Sequence, residues 1–252
     1  MKRLMLAIAA LLALASPAGA EKIAGILSTS SVKVTSSFDG TSLSLFGSIE
    51  PDTPGGTLSG PYNIIVVITG PLQDRVTRLK TNSWGIWTNT DQVSFRQFPS
   101  FYNVLSSGSL EAIADPTLLE ERRVLPLTQA RATATTGETP KSTEFGTQLV
   151  RLMTEQGHFL VREDGIHFLS DSAFVAQVNL PSDVANGPFI AHTLLLKDKQ
   201  LVAERSDGFT VRKTGFESFV YVASRQYPLV YGLVCVALAL FTGWLAGVVF
   251  RR

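Results

Sequence analysis

The chain has a single cysteine, three histidines and close to balanced charge, with 22 Lys plus Arg against 21 Asp plus Glu among its 252 residues. One cysteine excludes any internal disulfide, so the folded part must be held by its own apolar core. His158, His167 and His192 follow no HExxH or comparable spacing, which leaves no metal-binding pattern, and no metal is expected. No GxSxG, no GK[ST] and no glycine pattern of the dinucleotide-binding type occurs. The signatures of serine hydrolases, P-loop enzymes and nicotinamide enzymes are therefore missing, and neither a cofactor nor an enzymatic activity is expected. No basic run stands out, which argues against nucleic acid as a partner.

Long apolar runs are few, and their lengths differ in kind. Lys2 and Arg3 precede a 12-residue run from Leu4 to Ala15, followed by Ala18-Gly19-Ala20. This is the layout of a cleaved secretory signal over residues 1–20, too short to cross a hydrocarbon core of about 30 Å. Leu229 to Phe250 gives 22 residues without a formal charge, the length of one transmembrane helix. Arg251 and Arg252 behind it predict a cytoplasmic tail, with everything before the span exported. The expected location is thus a bacterial inner membrane, crossed once, with the N-terminal domain in the periplasm. Two basic residues lie in the leader and two in the tail, leaving 18 against 21 acidic, a net charge of −3 for the exported part.

The exported stretch, 21–215, reads mainly as β structure. SVKVTSSFDGTSLSLFGSI places Asp39-Gly40 between two strand-like segments and predicts a hairpin. YNIIVVIT has an unbroken apolar centre, as a strand buried on both faces requires. VTRLK and WGIWTN are weaker strand candidates. Between about 99 and 157 the period turns helical. Asp115-Pro116 is an N-cap followed by proline at the first helical position, and Phe145, Leu149, Leu152 and Met153 share a helical face that Gly157 ends. Residues 126–141, small, polar and bounded by prolines, read as a mobile loop. FLVR, IHFL, FVAQVNL, FIAHTLLL, QLVAER and FTVRK then restore the strand pattern. The spacing predicts an immunoglobulin-like antiparallel sandwich with a helical insertion. Phe216, Phe219, Val220, Ala223 and Tyr227 repeat at helical spacing, predicting an interfacial helix over 216–228 that turns into the span at Pro228.

Taken together, SSFDGTSLSLFGSIE, IIVVITGP, GIWTN, FPSFYNVLSSGSLEAI, NGPFIAHTLLL and GWLAGVVFRR resemble an uncharacterised family of alphaproteobacterial transmembrane proteins over nearly the whole mature chain. The resemblance implies no catalytic residues and no established activity. Members of such a family are often encoded near permeases of the sulfite-exporter type, so the resemblance implies a transport-linked role.

Three features remain as candidates for function. Cys235, Ala239, Gly243 and Gly247 recur every four residues, a stripe of small side chains that lets a second helix come close, either a copy of this chain or a membrane-protein partner. Trp84, Trp87, Phe98, Phe101 and Tyr102, with Phe95, crowd the junction of strand and helix and either fill a core or form a partner surface. His192 alternates onto the face of Ile190, Leu194 and Leu196, which predicts a buried core histidine, and His158 sits where a cation suits a helix C-terminus. The expectation is a non-enzymatic accessory subunit of a membrane complex. The alternative is a small-ligand module whose pocket the 126–141 segment and the aromatic segment would cover.

Overall fold

The computed structural model describes residues 21–35, 38–51, 56–214 and 216–249. The expected signal, 1–20, and tail, 251–252, lie outside the described residues. The strands are β1 (Lys22–Leu27), β2 (Ser31–Val34), β3 (Thr41–Glu50), β4 (Asn63–Thr69), β5 (Leu72–Ser83), β6 (Ile86–Pro99) and β7 (Tyr102–Ser106). Four helices follow: α1 (Leu110–Ile113), α2 (Pro116–Glu121), α3 (Pro126–Thr133) and α4 (Pro140–Glu155). Then come β8 (Phe159–Arg162), β9 (Ile166–Phe168), β10 (Ala173–Leu180), β11 (Gly187–Lys197) and β12 (Gln200–Lys213), and finally α5 (Phe216–Gln226) and α6 (Pro228–Val249).

A four-stranded sheet, order β1-β3-β10-β9, packs against a six-stranded one, order β2-β12-β11-β4-β7-β8. Their shared core takes Leu43, Leu45, Ile49, Phe174 and Val178 from the first and Ile64, Val66, Ile68, Leu195 and Val211 from the second. The other face of the six-stranded sheet is covered too. Ile65, Val67, Val104, Leu194 and Leu196 meet Leu119, Ala130, Phe145, Leu149 and Met153 of the helices. The helical layer therefore packs on the sandwich, and β4 is apolar without interruption because both of its faces are buried.

Several expectations need correction. Asp39-Gly40 does not close a hairpin: β2 pairs in parallel with β12, while β3 pairs with β1 and β10. Six residues, 35–40, separate β2 from β3. That is enough chain to cross the ~10 Å between packed sheets, and each strand can bury its apolar face from its own side. The sheets are also not wholly antiparallel, since β7 and β8 pair in parallel as β2 and β12 do. Strand β7 falls inside the stretch expected to be helical.

Residues 126–141 are not a loop: they contain α3 and the start of α4, and the two prolines taken as loop boundaries occupy the first turns of helices. Fully buried Ala130 shows why small side chains stand there, for they let α3 lie close to β6 and α4. Elsewhere the local signals hold. The Asp115 carboxylate accepts from the Thr117 N–H at 2.9 Å, and Thr139 and Ser142 form a reciprocal capping box on α4. The Thr117 hydroxyl and N–H hold Asp115 below the usual carboxylate range. Leu152 departs from the expected face and is exposed, while Phe145, Leu149 and Met153 are buried.

At the C-terminus α5 meets α6 through Tyr227. The N–H of Tyr227 donates to Ala223 O at 3.0 Å and that of Tyr231 to Tyr227 O at 2.9 Å.

Candidate functional site

Helix α6 has 22 residues and a mean hydropathy of 2.2, long and apolar enough to cross a membrane, and none of it is buried. Cys235, Ala239, Gly243 and Gly247 lie exposed along it. A Cβ built on Gly243 or Gly247 would meet nothing within 4 Å. Among the described residues nothing covers the stripe.

The aromatic segment divides in two. Phe98, Phe101 and Tyr102 are fully buried, so a partner surface made of them is ruled out. Phe101 enters the core between the sheets, its ring 5.8 Å from that of Phe189. Phe98 and Tyr102 face the helical layer and gather around Phe159, at 5.4 and 5.8 Å. The Tyr102 hydroxyl donates to Arg123 O at 2.6 Å, and burial pushes its pKa up to about 12. It is a fixed hydrogen-bond donor over the whole physiological range. Trp84 and Trp87 belong to the other half: they stand exposed at the far end of the β5–β6 hairpin, about ten residues from Phe95 and Phe98.

The helical layer does not cover the outer sheet face completely. A cleft of about 740 Å³ opens over Val67, Tyr102 and Leu194, with Arg96, Arg122, Arg123, Gln129, His192 and Glu204 around it. This gap corrects the expectation for His192. The side chain is exposed, because the helices cover Leu194 and Leu196 but stop short of it, and its Nδ1 lies 2.8 Å from the Ser206 hydroxyl. Arg122 pairs with Glu204 at the edge of the cleft at 2.6 Å. Gln97 and Arg123 on the rim have φ of 53° and 49°, left-handed conformations that cost non-glycine residues energy. Arg96, Arg122, Arg123 and Glu204 carry no local signal in the sequence, since only the fold of the helices onto β6 and β12 brings them to one opening.

His158 sits just after α4, as expected, and its Nε2 lies 3.1 Å from Asp183 Oδ2. Among the described residues no group of three or more His, Cys, Asp or Glu side chains is placed to hold a metal ion.

A β sandwich faced by helices and continued into one uncovered apolar helix of membrane-spanning length defines a membrane-anchored protein with a folded domain outside the bilayer. The chain belongs to the family described as "Putative transmembrane protein (Alph_Pro_TM)", which it matches over residues 22–252. No curated protein matches it.

Proposed function

We propose that this is a non-enzymatic, inner-membrane protein whose periplasmic domain and single span act as an accessory or interaction subunit of a membrane complex. The bare length of α6, with its exposed stripe of Cys235, Ala239, Gly243 and Gly247, carries this reading. A span that served only as an anchor would need apolar side chains but no aligned small ones, whereas a stripe of small residues lets a second backbone approach closely. The leader and the two terminal arginines support export of the domain, and the family resemblance points toward a transporter as the complex. The test is affinity purification of the full-length protein in mild detergent beside Gly243→Leu. A stoichiometric membrane protein recovered with the parent and lost from the variant supports the reading. An unchanged set of partners in the variant sinks the stripe as the contact.

The cleft favours a second reading, a periplasmic module for a small anionic solute. Three arginines and two glutamates, Glu121 and Glu204, line an opening floored by Val67, Leu194 and Tyr102; Arg122 is paired with Glu204, and the forked donors of Arg96 and Arg123 suit a carboxylate or phosphate group. Thermal shift of the full-length protein against small carboxylates, phosphate and sulfonates tests it. A ligand at a hundred times its Kd stabilises the native state by about 2.7 kcal/mol, and a scaffold shows no shift.

A further inference from the structure

We propose that Trp84, Ile86 and Trp87, at the tip of the β5–β6 hairpin, insert into the interfacial layer of the same bilayer that α6 crosses, giving the domain a second membrane contact. This goes beyond the accessory-subunit reading and rests only on the membrane anchorage.

The first observation is where the hairpin leaves the domain. Thr69, Ile190 and Gly208 lie side by side across β4, β11 and β12, and Gly187 lies beside Val211. At this end of the sheet β12 runs on to Lys213 and then to the membrane helices, and at the same end β4 passes through Gly70 into β5. Two backbone bonds tie the root of the hairpin to the end of the β4–β7 pair, Gly70 N–H donating to Phe101 O at 2.8 Å and Ser100 N–H to Pro71 O at 3.0 Å, before β5 and β6 go on as a separate two-stranded sheet with register shifts at Gln73/Arg75 and Leu79/Lys80. A Cβ on Gly187 would come within 2.9 Å of Pro71, so the root of the hairpin is packed against the start of β11. The hairpin and the strand leading to the span thus depart from one end, two strand spacings or about 10 Å apart. Helix α5, 11 residues, links β12 to the span, and its apolar spacing predicts that it lies at the membrane surface. Strand β5, 12 residues or about 40 Å, is long enough to reach it.

The tip has the chemistry of an interface. Trp84 is 102% exposed, Trp87 67% and Ile86 65%, and every residue from Asn82 to Gln92 is exposed. Tryptophan is the side chain most at home between headgroups and acyl chains. Between Asp74 and Asp91 the hairpin carries Arg75, Arg78 and Lys80 and no acid, which suits anionic headgroups, and Asp91 itself is paired with Lys141. The apolar groups also point in more than one direction. Ile86 lies opposite Ser83 and Trp87 opposite Asn82, so the two alternate to opposite faces of the hairpin, and Trp84 caps the turn. A protein partner would meet one face of such a ribbon, whereas a bilayer surrounds the tip.

The turn adds a conformational observation. Trp84 and Gly85 have φ of 57° and 82°, the signs of a type I′ turn, in which Asn-Gly is the favoured pair. A fully exposed tryptophan in the left-handed region serves neither the stability of the hairpin nor its solubility. An apolar phase at the tip accounts for it.

The experiment uses full-length protein with Trp244→Phe, which removes the tryptophan of the span, in nanodiscs of phosphatidylcholine and phosphatidylglycerol with or without brominated acyl chains. Each disc holds only the bilayer that α6 crosses. Adding Trp87→Phe or Trp84→Phe leaves one reporter at a time, at exposed positions where folding is not at stake. The expected result is blue-shifted emission, most of it lost in the brominated discs. Emission typical of water with full access to acrylamide, and no loss in brominated discs, overturns the proposal. Emission shielded from acrylamide yet indifferent to bromine also overturns it, and assigns the tip to a protein contact such as a second copy of this chain.

Discussion

The root and the tip of one hairpin, built from the same two strands, have opposite fates. At the root Phe95 and Phe98 are fully buried against the helical layer, with their ring centroids 6.0 Å apart. At the tip Trp84, Ile86 and Trp87 touch little but solvent. Aromatic content is equal in the two halves, and what differs is whether α3 and α4 reach them. Thr135 N–H donates to Ser94 O at 2.9 Å and Phe95 bridges to Ala134, so the helical layer is stitched to the root. An aromatic side chain is therefore structural in one half of the ribbon and available to something outside the chain in the other.

Four substitutions break or sharpen that comparison. The largest effect belongs to Phe98→Ala, which leaves a cavity in a packed layer and is expected to lose about 3–5 kcal/mol in denaturant unfolding of the full-length protein. A loss under about 1 kcal/mol would mean that the helical layer is not part of the cooperative core. Next is Tyr102→Phe, which removes the shorter of two hydrogen bonds to the Arg123 carbonyl, leaving Gln129 Nε2 at 3.3 Å, and should cost about 1 kcal/mol. It also changes the response to alkali. The Tyr102 pKa is raised from 10.0 to about 12 by burial, so the stability it contributes is complete below pH 10 and is lost as pH rises toward 12. Unfolding of the parent across that window should be steeper than that of the variant, and identical profiles would show that Tyr102 does not titrate with folding.

Smaller still is Trp84→Asn. Relief of the left-handed tryptophan should raise the melting temperature slightly, by an amount worth about 1 kcal/mol or less. A drop instead would place Trp84 in the folding ledger and not outside it. Trp87→Ser is expected to change stability by no more than about 0.5 kcal/mol, as at other exposed sites, and a loss like that of Phe98→Ala would erase the distinction between root and tip.

Much of the architecture was legible in the residues because the signals are local. A 22-residue apolar helix, the Asp115-Pro116 cap, the Gly157 stop with φ of 75° and the doubly buried β4 each depend on neighbours in sequence. What failed was long-range. The Asp39-Gly40 turn looked like a hairpin, but partner choice for β2 was settled by β12, more than 160 residues further on. The 126–141 segment looked like a loop because small residues are ambiguous, and became helical because Ala130 needed to fit beneath Phe95 and Gly146. His192 looked buried because alternation tells which face a side chain takes, not how far the cover over that face extends. The cleft, with Arg96, Arg122, Arg123 and Glu204, had no sequence signal at all.

The sequence by itself determined that the chain is mainly β, ends in one apolar helix of membrane-spanning length, and carries small residues in line along that helix, since length, alternation and spacing are properties of consecutive residues. Only the tertiary structure decided which aromatics are covered, where the sheet face is left open, and that the root of the tryptophan hairpin and the end of β12 lie at the same end of the domain. Those depend on contacts between residues far apart in the chain, where burial is set by the geometry of packed layers and not by any residue's own preference.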